Sequence, residues 1–375
     1  MKKKKYPGHS YPLFAEASAV LPRPANHLPT LIKYTRGSRI YDFDNNAFTD
    51  YTLGQGAIIL GHNNRIAALA AKKAADQGIF FSSFSRDTVS LAKEIKKHFP
   101  AIEKIQLTSS EEKARRLAMT LARMNRKKEL IVSLDQASPL NSSSNILHLP
   151  WGDWNAVTLE LRRHAAALAA IILTPVAFTR QGFASVDSNF LNTLTTLSRE
   201  HGFYIIFDEI ATGFREGLGG WQTAHHFQPD LTCLGRIIGG GFSLGAVGGK
   251  AEILDAFVLP GIPNPVVAKT GLAILRQLTP PVYAKLNTTA ENFTAALNSF
   301  WEEKKMLPRL TRFGSMLGFI PETIDDNEYA AFVARAWTNN IILPAKAAEP
   351  FYFSLSHTRA EIQTLKQTLQ SAALV

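Results

Sequence analysis

Two carboxylates, Asp208 and Glu209, follow the apolar run Tyr204-Ile205-Ile206-Phe207. Such a run reads as a buried parallel strand, and open α/β sheets place their ligand sites beyond the carboxyl ends of such strands. A carboxylate in that place also caps loops or pairs with an arginine, and that plainer role carries the greater weight here. Downstream, Leu231-Thr232-Cys233-Leu234 reads as a second strand and runs into Gly235-Arg236-Ile237-Ile238-Gly239-Gly240-Gly241, a cation followed by a tight turn. A third stretch, Ser109-Ser110-Glu111-Glu112, opens a helix. Helix starts expose backbone N–H groups and attract anions. Arg180, Arg215 and Arg236 are candidates for a positive cleft that would take a small carboxylate or phosphate ligand.

Other chemistries find little support. There is no HExxH, CxxC or spaced carboxylate pair for a metal or hydrolytic site, so no metal is expected. Gly239-Gly240-Gly241 lacks the flanking pattern of a phosphate-binding or dinucleotide-binding loop, and Asp42 and Asp44 belong to a hairpin rather than a calcium loop. His225 and His226 are adjacent in a loop, where such pairs are commonly surface residues.

The elements that must position these residues alternate. Short strands are expected at Ile105–Leu107, Leu130–Leu134 and Ile171–Leu173, with helices at Glu111–Asn125, Asn155–Ala167 and Asp187–His201 between them and the Tyr204 strand. That alternation predicts a mostly parallel sheet covered by helices on both faces. Ahead of it lie a loop-rich start with a short helix near Leu13–Val20, a hairpin over Ile40–Tyr51 around an Asp-Asn-Asn turn, and helices at Arg65–Gln77 and Asp87–His98. From Pro265 onward come two long helices, to about Gln277 and over Val282–Lys305. Strands near Met316–Ile320 and Tyr352–Leu355 flank a helix at Asp326–Asn339, and a closing helix starts at Arg359. The expected organisation is an N-terminal segment 1–60, a large α/β domain 61–264 and a small α+β domain 265–375.

At 375 residues, 46% apolar and 19% charged, the composition is that of a globular protein of enzyme size. The formal charge of +10 includes the run Lys2-Lys3-Lys4-Lys5 and reads as a surface excess. No nucleic-acid-binding signature accompanies it, and no apolar run reaches membrane-spanning length. Cys233 is the single cysteine, which fits a reducing compartment. With no apolar stretch after the lysine run, the expectation is a cytoplasmic protein without nucleic-acid or membrane partners.

Over nearly its whole length the chain resembles the class III aminotransferases of the pyridoxal-phosphate fold type I group, and within them the glutamate-1-semialdehyde aminomutases. The resemblance rests on Ile59-Leu60-Gly61-His62, on Phe207-Asp208-Glu209-Ile210-Ala211-Thr212-Gly213-Phe214-Arg215, and on Pro229 to Gly235. Ile237 to Gly241 and Phe353-Ser354-Leu355-Ser356-His357-Thr358 carry it further. It implies a two-domain fold, a homodimer with sites at the subunit interface, and a pocket of cofactor-binding ancestry. In that pocket Asp208 matches the aspartate that keeps the pyridine nitrogen protonated, and Ile210 the apolar residue packed on the ring.

Other positions depart from the pattern. Arg236 stands where the family has its Schiff-base lysine. A guanidinium holds its proton throughout the neutral range and serves neither as imine nucleophile nor as base. At Ser109, Ser110 and Glu111 the phosphate cradle has lost its glycine, and a carboxylate replaces its threonine. Against one unit of phosphate charge at ~5 Å and an effective dielectric of ~20, that carboxylate costs about 3 kcal/mol. Without a ligand, Ser109 or Ser110 as N-cap and an acidic first turn make an ordinary helix start. The loop Asp135–Ser144 lacks the ring-stacking aromatic, Pro260 replaces the threonine that reaches across the dimer, and Thr174 replaces a glutamate before Pro175-Val176.

The resulting expectation is a homodimer of aminotransferase lineage that lacks Schiff-base catalysis. It is non-catalytic or repurposed, with no cofactor expected and with a small anion or a protein as partner. Arg236 is expected to turn toward Asp208. The alternatives are a lysine-free enzyme that holds pyridoxal or pyridoxamine phosphate (PLP or PMP) non-covalently, and an ordinary transaminase or aminomutase.

Overall fold

The computed structural model describes residues 16–22, 31–79, 83–134, 145–256 and 264–372. The chain divides into two compact units, one of residues 1–65, 180–182 and 284–375, the other of residues 66–179 and 183–283.

The larger unit holds a seven-stranded sheet in the order Lys104–Thr108, Gly245–Gly249, Leu231–Leu234, Tyr204–Asp208, Leu168–Leu173, Leu130–Ser133, Ile146–His148. Gly245–Gly249 runs antiparallel to both neighbours, and the other adjacent pairs are parallel. Leu168–Leu173, Tyr204–Asp208 and Leu231–Leu234 are buried at every residue. Continuous apolar runs of this kind belong in a sheet covered on both faces.

The Glu111–Arg126 helix supplies much of that cover. Ala114, Ala118, Met119, Leu121 and Ala122 recur at helical spacing and pack with Ile131, Ala170, Ile206, Ile210 and Val247. Ser110 caps its start, accepting the Lys113 N–H at 3.2 Å, with Glu111 and Glu112 in the first turn as the helix dipole favours. Lys127, in the left-handed conformation at φ 53°, ends it.

The parallel register sets Asp208 opposite Cys233. The Glu209 N–H then donates to the Cys233 carbonyl at 2.9 Å. Asp208 therefore ends its strand two residues before Gly235 and Arg236 leave the next one, at the carboxyl edge of the parallel strands. Asp230 secures the opposite end, accepting from Ile205 N–H at 2.8 Å and Lys250 Nζ at 2.9 Å.

In the smaller unit the expected hairpin forms between Arg39–Asp42 and Ala47–Asp50. The Asp42 carboxylate drives its turn, accepting from Asp44 N–H at 2.9 Å and Asn46 N–H at 2.8 Å. Ile32–Arg36 and Ile341–Ile342 extend this to four strands. Leu310–Phe313, Met316–Phe319 and Phe351–Tyr352 make a separate three-stranded sheet over a core that includes Trp301, Phe319, Phe332 and Phe351.

The Ile59–His62 and Phe353–Thr358 segments act here as structural ties. His62 Nε2 meets Asp50 Oδ2 at 2.8 Å, and the Ser356 hydroxyl donates to the Leu60 carbonyl at 2.7 Å. The buried His357 ring stacks on Tyr51 with centroids 4.4 Å apart.

Candidate active site

Two ion pairs join the residues at the carboxyl edge of the large sheet. The Arg115 Nε–H donates to Asp208 Oδ2, and Asp208 Oδ1 accepts the Ile210 N–H at 3.0 Å. Asp208 is 3% exposed and Arg115 15%. Beside them, Glu111 Oε1 accepts the Arg236 backbone N–H at 2.9 Å, and Glu111 Oε2 lies 3.8 Å from Arg236 Nε.

Glu111 and Arg115 are four residues apart on one helix and so share a face. Arg236, Glu111, Arg115 and Asp208 thus alternate in sign. Burial raises the Glu111 carboxyl above its ordinary value, with Arg236 and then Arg115 pulling it back down.

Local backbone chemistry fixes this arrangement. Arg236 opens the 3₁₀ turn Arg236–Gly239 at φ 52°, a left-handed conformation uncommon for a side chain of this size. Its peptide N–H is thereby turned to Glu111. Gly235 makes the approach possible, since a Cβ there would lie 2.6 Å from Glu111 Cγ. Ser110 is the N-cap described above. Ser109 accepts from Lys113 Nζ at 2.9 Å, and its carbonyl takes the Ser243 hydroxyl at 3.0 Å. These donors all serve the helix start as it stands.

Glu209 points away from this cluster and is wholly buried. It accepts the Trp221 N–H at 3.0 Å, the Gln222 N–H at 2.7 Å and the Thr212 hydroxyl. A Cβ on Gly220 would come 2.6 Å from its Oε2. Burial pushes its carboxyl up to about 7 against those three donors. Glu209 is an anchor for the turn at Trp221, not a second carboxylate of a reacting pair.

Ile210 is buried in the core beside Asp208, as a ring-packing residue would be. The structure corrects the expectation for Arg236, which turns to Glu111, while Asp208 is taken by Arg115. Distance along the helix is the physical reason. Arg115 lies one turn inside the helix start and reaches the strand end, whereas the turn at Gly235 directs Arg236 to the first helical residue. The Glu111-to-Arg115 spacing was the available signal.

Of the three arginines singled out in the sequence, Arg236 pairs with Glu111 as described above. Arg180 is 86% exposed, 3.6 Å from Glu322, and Arg215 is buried. His225 stacks on Trp221 with centroids 3.9 Å apart, its Nδ1 3.0 Å from the Trp221 carbonyl. Thr174 Oγ1 donates to the Val176 carbonyl at 3.1 Å. Pro260 and the Asp135–Ser144 loop lie outside the described residues. Among the described residues, no cluster of three or more His, Cys, Asp or Glu could hold a metal ion. No helix among them is long and apolar enough to cross a membrane.

Comparison with known proteins bears on this site. The profile of the family described as Aminotransferase class-III matches residues 20–138 and 153–372. Glutamate-1-semialdehyde 2,1-aminomutase 2 of Geobacillus kaustophilus is 30% identical over 381 aligned residues, which cover 89% of this chain and 88% of the relative. An omega-transaminase from Sphaerobacter thermophilus superposes with a TM-score of 0.87 at 23% identity, covering 99% of this chain and 98% of its own. A glutamate-1-semialdehyde-aminomutase from Pseudomonas aeruginosa PAO1 in complex with PMP gives a TM-score of 0.81 at 19% identity, covering 92% and 87%.

The expectation of a cofactor-free protein is corrected by these likenesses. The family works with PLP and PMP, and a structural neighbour holds PMP. The residues present retain the seat only in part. Asp208 and Ile210 are the residues that the resemblance matches to the ring's partners, but Arg115 is bonded to Asp208, and Glu111 occupies the helix start with its carboxylate. They do not fit a cofactor held through a Schiff base at position 236. With the matched profile spanning most of the chain and the fold type I architecture reproduced by its structural neighbours, the chain belongs to the class III aminotransferase family.

Proposed function

We propose that this protein is a glutamate-1-semialdehyde aminomutase-like homodimer of the cytoplasm that lacks Schiff-base catalysis and has been turned to a binding role. Any PLP or PMP it takes up is held non-covalently. One observation carries this reading: the group at position 236 is a guanidinium, and it is engaged with Glu111 through both its backbone N–H and its side chain. Such a group does not lose its proton near neutral pH and cannot attack an aldehyde.

The dimer draws support from apolar side chains that the single chain leaves in water. Ile66 and Leu69, one turn apart on the Arg65–Ala75 helix, are each more than half exposed. Light scattering on the eluting protein would give twice the chain mass, and a monomer would remove this part of the proposal.

For the chemistry, purified protein incubated with PLP is treated with borohydride and weighed by intact-mass spectrometry. No adduct and no visible imine band are expected. A stoichiometric adduct on this chain would overturn the proposal.

A further inference from the structure

We infer that Glu111 and Arg115 form a latch that fills the two polar seats of the pocket with the chain's own charges. A phosphorylated pyridine ligand then enters only by displacing both. The inference rests on the reading that this pocket no longer holds its ligand covalently.

Two different seats are occupied by two different side chains. Asp208 is the buried carboxylate that would face a protonated ring nitrogen, and the Arg115 Nε–H already donates to it. The helix start that would face a phosphate carries Glu111, bonded to the Arg236 N–H at 2.9 Å. Arg115 thus mimics the cationic end of such a ligand, and the Glu111 carboxylate mimics its anionic end. Their spacing of four residues brings both onto the helix face that looks at the strand ends. A charge-assisted pair is replaced only by a ligand that offers an equal one, so the latch sets a threshold on affinity and on ligand charge. The two halves differ in what they exclude: Arg115 opposes any cationic ring, while Glu111 opposes only the phosphate.

That difference supplies the test. PMP and pyridoxamine, which lacks the phosphate, are titrated calorimetrically into the wild-type protein, Arg115→Gln and Glu111→Thr. Arg115→Gln should tighten both ligands, and Glu111→Thr should tighten PMP alone, each by roughly tenfold. Circular dichroism and a cooperative melt establish that each variant folds. Glu111 is part-exposed at a helix start, so the Glu111→Thr arm stands if Arg115→Gln proves unfolded. Folded variants with affinities unchanged for both ligands would overturn the latch. So would equal tightening of both ligands by Glu111→Thr, or no binding by any form. A borohydride adduct on the wild type would instead sink the covalent-free reading, which calorimetry does not probe.

Discussion

Arg115 holds Asp208. Its guanidinium donates to the carboxylate that ends the central strand, and both side chains are largely removed from water. Removing one partner of a buried pair strands the other charge in a poor solvent, which costs more than the pair itself is worth. Arg115→Ala is therefore expected to lower unfolding stability by about 3 kcal/mol. Replacing both residues at once, with Arg115→Met and Asp208→Leu, is expected to cost less than the single change. Urea denaturation of the two singles and the double forms a double-mutant cycle. Additive losses would mean that the two groups do not depend on each other.

Glu209 shows why the adjacent carboxylate needs a different account. Trp221 N–H, Gln222 N–H and the Thr212 hydroxyl all converge on it in a site without water access. Glu209→Ala leaves three buried donors without an acceptor, at about 1 to 3 kcal/mol each before relaxation. A loss of at least about 3 kcal/mol in urea is expected, together with faster proteolysis near Trp221. A near-neutral substitution would show that the turn finds other acceptors.

Arg236→Lys tests whether one residue is all that separates this site from imine chemistry. Lysine at 236 would still stand beside Glu111, whose carboxylate opposes a phosphate by about 3 kcal/mol at ~5 Å and a dielectric of ~20. The ammonium paired to that carboxylate would also resist losing its proton. The substituted protein is expected to give no borohydride-fixed PLP adduct. An adduct at this single change would show that the Glu111 carboxylate is no obstacle.

Much of this was legible from residue types. Leu168–Leu173 and Tyr204–Asp208 announce themselves because buried parallel strands need apolar residues on both faces. Gly245–Gly249 does not, since a strand with three glycines carries no side-chain pattern. A Cβ on Gly248 would lie 2.4 Å from Ile102 Cδ1, so glycine is required there by packing that only the fold reveals. The site divides in the same way. The arginine on which the proposed loss of imine chemistry rests is visible at position 236 from the sequence alone, but the partner of Asp208 is not. Matching positions to a family pattern asks what replaced each functional residue. Arg115 replaces none of them and reaches the site through helix geometry.

The last expectation concerns acid. His357 is buried against Tyr51, its Nδ1 accepts the Ser354 N–H at 3.0 Å, and its Nε2 lies 3.2 Å from the Asp50 carbonyl. Burial lowers its pKa to about 4, against the pull of Glu361 and Asp50. The unfolded chain, with an ordinary imidazole near 6.5, binds the proton more readily than the fold between those two values. Stability from this residue is therefore complete above about pH 6.5 and is lost as the pH falls toward 4, by about 3 kcal/mol across the window. His357→Gln keeps a polar group in the site but cannot titrate. The gap in unfolding stability between wild type and His357→Gln should be widest near pH 7.5 and shrink steadily on acidification to pH 4.5. A gap independent of pH would mean that the imidazole takes up its proton as readily in the fold as in the unfolded chain, which the Ser354 N–H donated to its Nδ1 and its burial both oppose.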